Sequence, residues 1–268
     1  MTDIRNTLNC IGLKMPWKPF FCGRKTSDDE LLQLIKQLAP VDSGKNMIRV
    51  GPSKDGGYLL PDDFDGIEAC FSPGVDKESG FELQLAERGI AIYMADASVD
   101  SPPIHHDRFV FTKKFIGSYD EGIFTTLNSW VNEKVVKHQG DLILQIDIEG
   151  AEYEAFINMS EELIARFRMI VVEFHHLDYL FSKPYFDIAQ AAFRKIIRQH
   201  CCVHIHPNNV GSVASSNKVS IPQMMEFTFY RKDRMTKQVT RAKIPHPEDV
   251  DCASNRAKLG LPDCWLKD

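Results

Sequence analysis

The chain has 268 residues, 43% of them hydrophobic and 26% charged, and 32 Lys and Arg against 37 Asp and Glu leave a formal charge of −5 at neutral pH. This composition can bury a full globular core, and the lack of a basic block excludes a protein that lives on a nucleic-acid backbone. No stretch approaches the length of a membrane-spanning apolar run. The N-terminal MTDIRNTLNC lacks the layout of a secretory signal, and the seven scattered cysteines form no CxxC, so the expected compartment is the reducing cytoplasm.

Residues 1–26 mix Pro, Trp, Phe and basic residues without periodicity. In TSDDELLQLIKQLAPV, Ser27 and Glu30 make a capping box ahead of aliphatic residues at helical spacing, which predicts a helix over 28–38 with Leu31, Leu34, Ile35 and Leu38 on one face. NMIRVGPSKDGGYLLP predicts two short strands around a Gly-rich turn. From residue 66, β-rich runs (IEACFS, IAIYMAD, RFVFTKKFI, DLILQIDI, RMIVVEFHH) alternate with helical stretches (ESGFELQLAER, EGIFTTLNSWVNEKVV, AEYEAFINMSEELIARF, FDIAQAAFRKIIRQH). Such alternation implies βαβ units and a parallel sheet covered by helices on both faces. CCVHIH and MMEFTFYRK follow with no helical pattern between them, so they should form the one antiparallel pair of the sheet. Residues 232–268 read as a tail docked by Trp265 and Leu266. The organisation expected is an N-terminal segment and helix, 1–44, packed on a single domain, 45–268.

In an open parallel sheet the ligand lies outside the carboxyl ends of the strands. The first long strand ends in FSPGVDKESGFE, where Ser72 and Gly74 let a ligand approach the backbone near a helix start. The next ends in Asp96, 22 residues after Gly74, the spacing of an acid that bonds ribose hydroxyls. The fourth run ends in QIDIEGAEYEAF, and strand alternation puts Asp147 and Glu149 on one face. The last ends carry Glu173, His175 and His176, then His204, His206, Asn208 and Asn209, with Glu226 on the final strand.

RVGPSKDGGYLLP, FSPGVDKESGFE, YMADAS, LQIDIEGAEYEAF, VEFHH and HIHPNN, in this order, resemble the FkbM-type S-adenosylmethionine-dependent methyltransferases, and KIPHPEDVD with LPDCW resembles the tail of some members. The resemblance covers residues 45–268, with IDIEGAEYE its most specific stretch. It implies an α/β class I methyltransferase sheet, Rossmann-like, seven-stranded with the last strand antiparallel. It further implies O-methylation of a sugar hydroxyl in polysaccharide, glycolipid or natural-product assembly. By position, Ser72, Gly74 and Val75 would border the methionine moiety, Asp96 would hold the ribose, Asp147 would face the sulfonium, and Lys54 with Asp55, Gly56, Gly57 and Tyr58 would close over the cofactor. Pro73 stands where the family's turn is usually richer in glycine.

Methyl transfer to a hydroxyl needs alignment and a base for the acceptor proton. The candidates are His176 or His175, then His206, then Glu149. A polyhydroxylated acceptor would find its partners among these residues and Asn208 and Asn209. The competing readings are a divalent-metal hydrolase or lyase using Asp147, Glu149, Glu173, His175, His176, His204 and His206, a nicotinamide oxidoreductase, and a non-enzymatic glycan-binding module. A metal within a methyltransferase is a further possibility of the same ligand set.

Overall fold

The structure is a computed structural model that describes residues 24–75, 77–235 and 240–266. Most of the irregular segment 1–26, with Cys10 and Cys22, lies outside the described residues. Helix α1 (Asp28–Gln37) forms where the sequence predicts it: the Ser27 hydroxyl accepts from Glu30 N, the Glu30 carboxylate accepts from Ser27 N, and Leu31, Leu34 and Ile35 are buried. Strands β1 (Met47–Val50) and β2 (Tyr58–Pro61) pair as an antiparallel hairpin.

The chain then lays down β3 (Ile67–Pro73), α2 (Gly80–Glu87), β4 (Ala91–Ala95), β5 (Phe109–Thr112), β6 (Phe115–Ile116), β7 (Phe124–Thr125), α3 (Leu127–Lys134) and β8 (Asp141–Ile146). It continues with α4 (Glu152–Asn158), α5 (Glu161–Arg166), β9 (Phe167–Phe174), α6 (Lys183–Gln199), β10 (His200–Pro207), β11 (Val213–Ser215), β12 (Ser220–Pro222) and β13 (Met225–Arg231). Among the described residues no helix is long and apolar enough to cross a membrane.

Seven strands form the main sheet in the order β10-β13-β9-β8-β3-β4-β5. The five from β9 to β5 are parallel neighbours. The expectation of a single antiparallel pair is corrected: β13 runs antiparallel to β10 and also to β9. With no crossover helix, β13 must turn back beside β10. It does so on the inner side, where its other edge satisfies the backbone of β9 and all of its side chains but the last are buried. The connection carries a small β11–β12 hairpin and no helix.

The two sheet faces are covered unequally. One packs Phe71, Leu144, Val172 and Phe227 against α1 and the helices α3 to α6. The other packs Cys70, Ile143, Met169, Val171 and Tyr230 under α2 and the β1–β2 hairpin, so a hairpin stands where helices alone were expected.

Two predicted helices are shorter than their periodicity. The AEYEAFINMSEELIARF stretch breaks where Met159 turns extended and the Ser160 hydroxyl caps a new helix by accepting from Leu163 N at 3.1 Å. EGIFTTLNSWVNEKVV starts its helix only after Thr126, because the Asp120 carboxylate accepts from Thr126 N and from the Thr125 and Ser129 hydroxyls and holds Phe124–Thr125 extended beside β6. The tail docks through Trp265, which is buried, caps Ser220 O at 3.1 Å and meets Phe227 edge-on. Leu266, expected to share that role, is 43% exposed.

Candidate active site

Side chains alternate along a strand, so the face that packs Cys70, Ile143, Val171 and Tyr230 under α2 and the hairpin carries Ser72, Gln145, Glu173 and Glu226 nearer the edge where the parallel strands end. All four are buried. Glu173 lies opposite Glu226, and Glu226 opposite His206, so the row continues from β9 across β13 to β10.

A cavity of about 670 Å³ opens at that edge. Its lining includes Lys54, Tyr58, Gly74, Val75, Asp96, Asp147 and Glu149 from the predicted set, and also Glu82, Gln145, Ser98 and Phe81. Gly74 sits where the turn after β3 crosses the end of β8: its φ is +90°, and a Cβ there would lie 1.6 Å from the Asp147 carbonyl oxygen. Only glycine permits that crossing. Asp96 accepts from Val75 N at 3.0 Å and from Ser98 N and Oγ at 2.7 and 2.6 Å, which ties the ends of β3 and β4 together at the cavity wall.

Two predicted cofactor residues do not line the cavity. Gly57 packs behind the loop, where a Cβ would meet the Pro52 carbonyl oxygen at 2.1 Å. Ser72 lies under the floor with its hydroxyl between the side-chain oxygens of Glu82 and Gln145. Lys54 is on the rim, paired with Glu78 at 2.8 Å. Burial pushes the Glu82 carboxyl up to about 7, with the Ser72 hydrogen bond opposing. The Tyr58 hydroxyl accepts from Gln145 Nε2 at 3.4 Å, and burial raises its phenol well above the usual range.

Beside the cavity a histidine meets four carboxylates. β8 ends at Ile146, so Asp147 and Glu149 stand on a loop rather than on a continuing strand, and Glu149 adopts φ +57°. His175 follows the last residue of β9. Its Nδ1 lies 3.2 Å from Glu152 Oε1, and its Nε2 lies 3.5 Å from Glu149 Oε2 and 3.8 Å from both Asp147 Oδ1 and Glu173 Oε1. Burial opposes charge on this ring, but the Glu152 hydrogen bond and the charges of Glu152, Asp147 and Glu173 outweigh it and raise the pKa to about 9. Glu173 is pushed up to about 8 by burial and then by Glu226, and burial also raises Asp147.

The other predicted histidines lie elsewhere. His176 turns away with φ +57°, stacks on Tyr179 at 5.0 Å between ring centroids and packs against Gly150. His204 and His206 face Asp249 of the C-terminal segment, at 2.8 and 3.7 Å. Asn208 reaches the carboxylate row through Glu173 at 2.8 Å, whereas Asn209 ties down the tail at Ala253. Donor atoms approach within 4.8 Å of one another in two groups, Asp147 with Glu149 and His175, and Asp55 with Glu173 and Cys252. His176, His204 and His206 belong to neither.

Sequence reasoning passed over Glu82, Gln145 and Glu152. Glu82 was detectable, being an acid among Phe81, Leu85 and Ala86 on the buried face of α2. Glu152 was not, because a glutamate opening a helix is ordinarily a favourable terminal charge.

The fold is α/β, with a seven-stranded, mostly parallel sheet and a cavity at its carboxyl edge. Residues 89–199, from just before β4 to the end of α6, match the family described as the Methyltransferase FkbM domain. That span leaves the Gly74 turn, β10 and β13 outside. No curated protein matches the sequence. Among solved structures, the chain is similar to the 1,6-didemethyltoxoflavin-N1-methyltransferase of Burkholderia thailandensis, solved with 1,6-didemethyltoxoflavin and S-adenosylhomocysteine, at 12% identity and a TM-score of 0.33 over 62% of this chain and 71% of that one. It is also similar to an antibiotic-related methyltransferase at 10% identity and a TM-score of 0.25, over 77% of this chain and 94% of that one. At these values neither likeness bears on the function of this chain.

Proposed function

We propose that this chain is an S-adenosylmethionine-dependent O-methyltransferase acting on a sugar hydroxyl in the assembly of a polysaccharide, glycolipid or natural product, and that it works in the cytoplasm. The observation that carries the reading is the meeting of Gly74, Asp96 and Asp147 around one strand-edge cavity, with the His175 cluster at its border. A sheet whose last strand in sequence is its one reversed strand supports the class I, Rossmann-like assignment. Residues 45–268 are read as the methyltransferase domain and 1–44 as an N-terminal addition to it.

The residues present fit the cofactor. Gly74 and Val75 offer close backbone approach, and the Asp96 carboxylate on the wall is an acceptor suited to ribose hydroxyls. Glu82 is a buried carboxylate on the wall that no Lys or Arg pairs with among the described residues, which suits the ammonium of an amino-acid moiety. When bound, S-adenosylmethionine supplies a methyl group already activated as a sulfonium.

The work left to the chain is alignment and removal of one proton. His175 Nε2 is the group placed to take it, with Glu149 the next candidate. A base must be neutral, and the carboxylates around His175 favour its charged form, which a bound cation beside Asp147 would oppose. With the true acceptor, His175→Ala should lower kcat by about 10²- to 10⁴-fold and leave cofactor affinity within about twofold. His176→Ala and His206→Ala should keep most activity. Full activity of His175→Ala would remove it from the mechanism.

The donor spacing at Asp147, Glu149 and His175 favours one second reading, a divalent ion that orients the acceptor hydroxyl. Loss of turnover in EDTA with cofactor binding intact would support it. Undiminished turnover would exclude it.

A further inference from the structure

We propose that Glu152 is a positioning residue that fixes the tautomer and orientation of His175, so that Nε2 is the ring nitrogen presented to Asp147 and Glu149 at the cavity's border. This rests on the reading of His175 as the group that handles the acceptor proton.

Glu152 is fully buried at the start of α4. Its Oε1 accepts from Ile148 N at 3.1 Å and Gly150 N at 3.0 Å, and lies 3.2 Å from His175 Nδ1. Oε1 already serves as the acceptor for two backbone N–H groups, so Nδ1, facing it, must carry the hydrogen. In the neutral ring that leaves the Nε2 lone pair toward Asp147, Glu149 and Glu173. The same oxygen holds the loop bearing Asp147 and Glu149, so ring and loop are set against one anchor.

The alternative is that Glu152 merely ties down a loop. Two backbone donors would be satisfied as well by a neutral side-chain carbonyl. A loop anchor alone would not need the third contact of Oε1, with His175 Nδ1 at 3.2 Å, and Oε2 is buried with no hydrogen-bond partner among the described residues. The ring is further held by its own backbone, whose carbonyl accepts from the Tyr153 hydroxyl at 2.9 Å. The charged and titratable groups facing it are Asp147 and Glu149 from the loop, Glu152 from α4, Glu173 from β9 and the adjacent His176 ring at 6.3 Å.

The test is ¹⁵N NMR of labelled full-length protein, at a pH where the ring is neutral, with single-turnover kinetics alongside. His175 in the wild type should be in the Nδ1–H form. Glu152→Gln, which keeps an acceptor oxygen at the same reach, should retain that form. Glu152→Asp, which keeps the charge but is one methylene short, should shift the ring toward Nε2–H. Glu152→Asp should also lower kcat by about 10- to 100-fold with the KM for the acceptor and the affinity for S-adenosylmethionine nearly unchanged. Retention of Nδ1–H in both variants, or loss of it in both, would overturn the proposal. Because the tautomer is read without turnover, a protein that methylates nothing still decides it. An unchanged tautomer with intact methyl transfer fells this proposal alone.

Discussion

Gly74 concentrates the local demands of the site in one residue, since its positive φ and the contact with the Asp147 carbonyl admit no side chain. Gly74→Ala should cost about 2–4 kcal/mol in urea unfolding and remove cofactor binding, because the turn can accept a methyl only by moving β8. An unfolding midpoint within error of wild type would show that the crossing is looser than drawn. Glu82 answers a different question at this scale. Glu82→Gln removes a wall carboxylate while keeping the side-chain shape and the contact with Ser72. Cofactor affinity should fall by about 10-fold or more if that carboxylate receives an ammonium group, and calorimetry at pH 8 would measure it. Both residues were visible in the sequence to different degrees. A glycine after a strand announces a special turn, whereas Glu82 shows only as an acid set among the apolar positions Phe81, Leu85 and Ala86 of α2.

The elements were legible wherever the period was undisturbed. The capping box at Ser27 and the apolar runs of β3, β4, β8 and β9 were read almost to their ends. The losses have physical causes. Hydroxyls at Thr126 and Ser160 start helices that periodicity alone would begin earlier or run together, because they compete for backbone donors. Which edge β13 chooses is settled by pairing with β9, a non-local contact that no local pattern records. The histidines were misplaced as a group: strand ends on one edge are neighbours, but φ +57° at His176 turns one ring away, and β13 inserts a whole strand between His175 and His206. The C-terminal segment is an element in its own right, since Asp249 engages His204 and Trp265 fills the core beside Phe227. Trp265→Ala should lower stability by about 3–5 kcal/mol. A loss under about 1 kcal/mol in thermal unfolding would mean that the tail is not docked in solution as it is here.

Across the whole molecule the buried acids set how stability depends on pH. Glu82 is raised to about 7 and Glu173 and Glu226 to about 8, all chiefly by burial, so each favours the fold when protonated and opposes it as pH climbs past its unfolded value. His175, raised to about 9, contributes stability that is full below its unfolded pKa and is lost as pH rises through the folded one. At the acid end Asp63, held at about 2 by Arg234, Tyr230 and Arg168 against the cost of its burial, contributes stability that disappears as pH falls through that value. The melting temperature of the ligand-free protein should therefore peak near about pH 4 and fall toward pH 9. Glu82→Gln should flatten part of that fall, and a melting temperature that rises between pH 6 and 9 would contradict the charge assignment.

The most direct measurement is isothermal titration of S-adenosylmethionine into the wild type and into Asp96→Asn. Asparagine keeps an acceptor for Val75 N and the side-chain shape but loses the charge that faces Ser98 and that a ribose diol would use. Wild type should bind with micromolar affinity, and Asp96→Asn should weaken binding by roughly 10- to 150-fold while its fold, followed by thermal unfolding, stays intact. No heat and no thermal shift for the wild type at millimolar S-adenosylmethionine would contradict the methyltransferase reading.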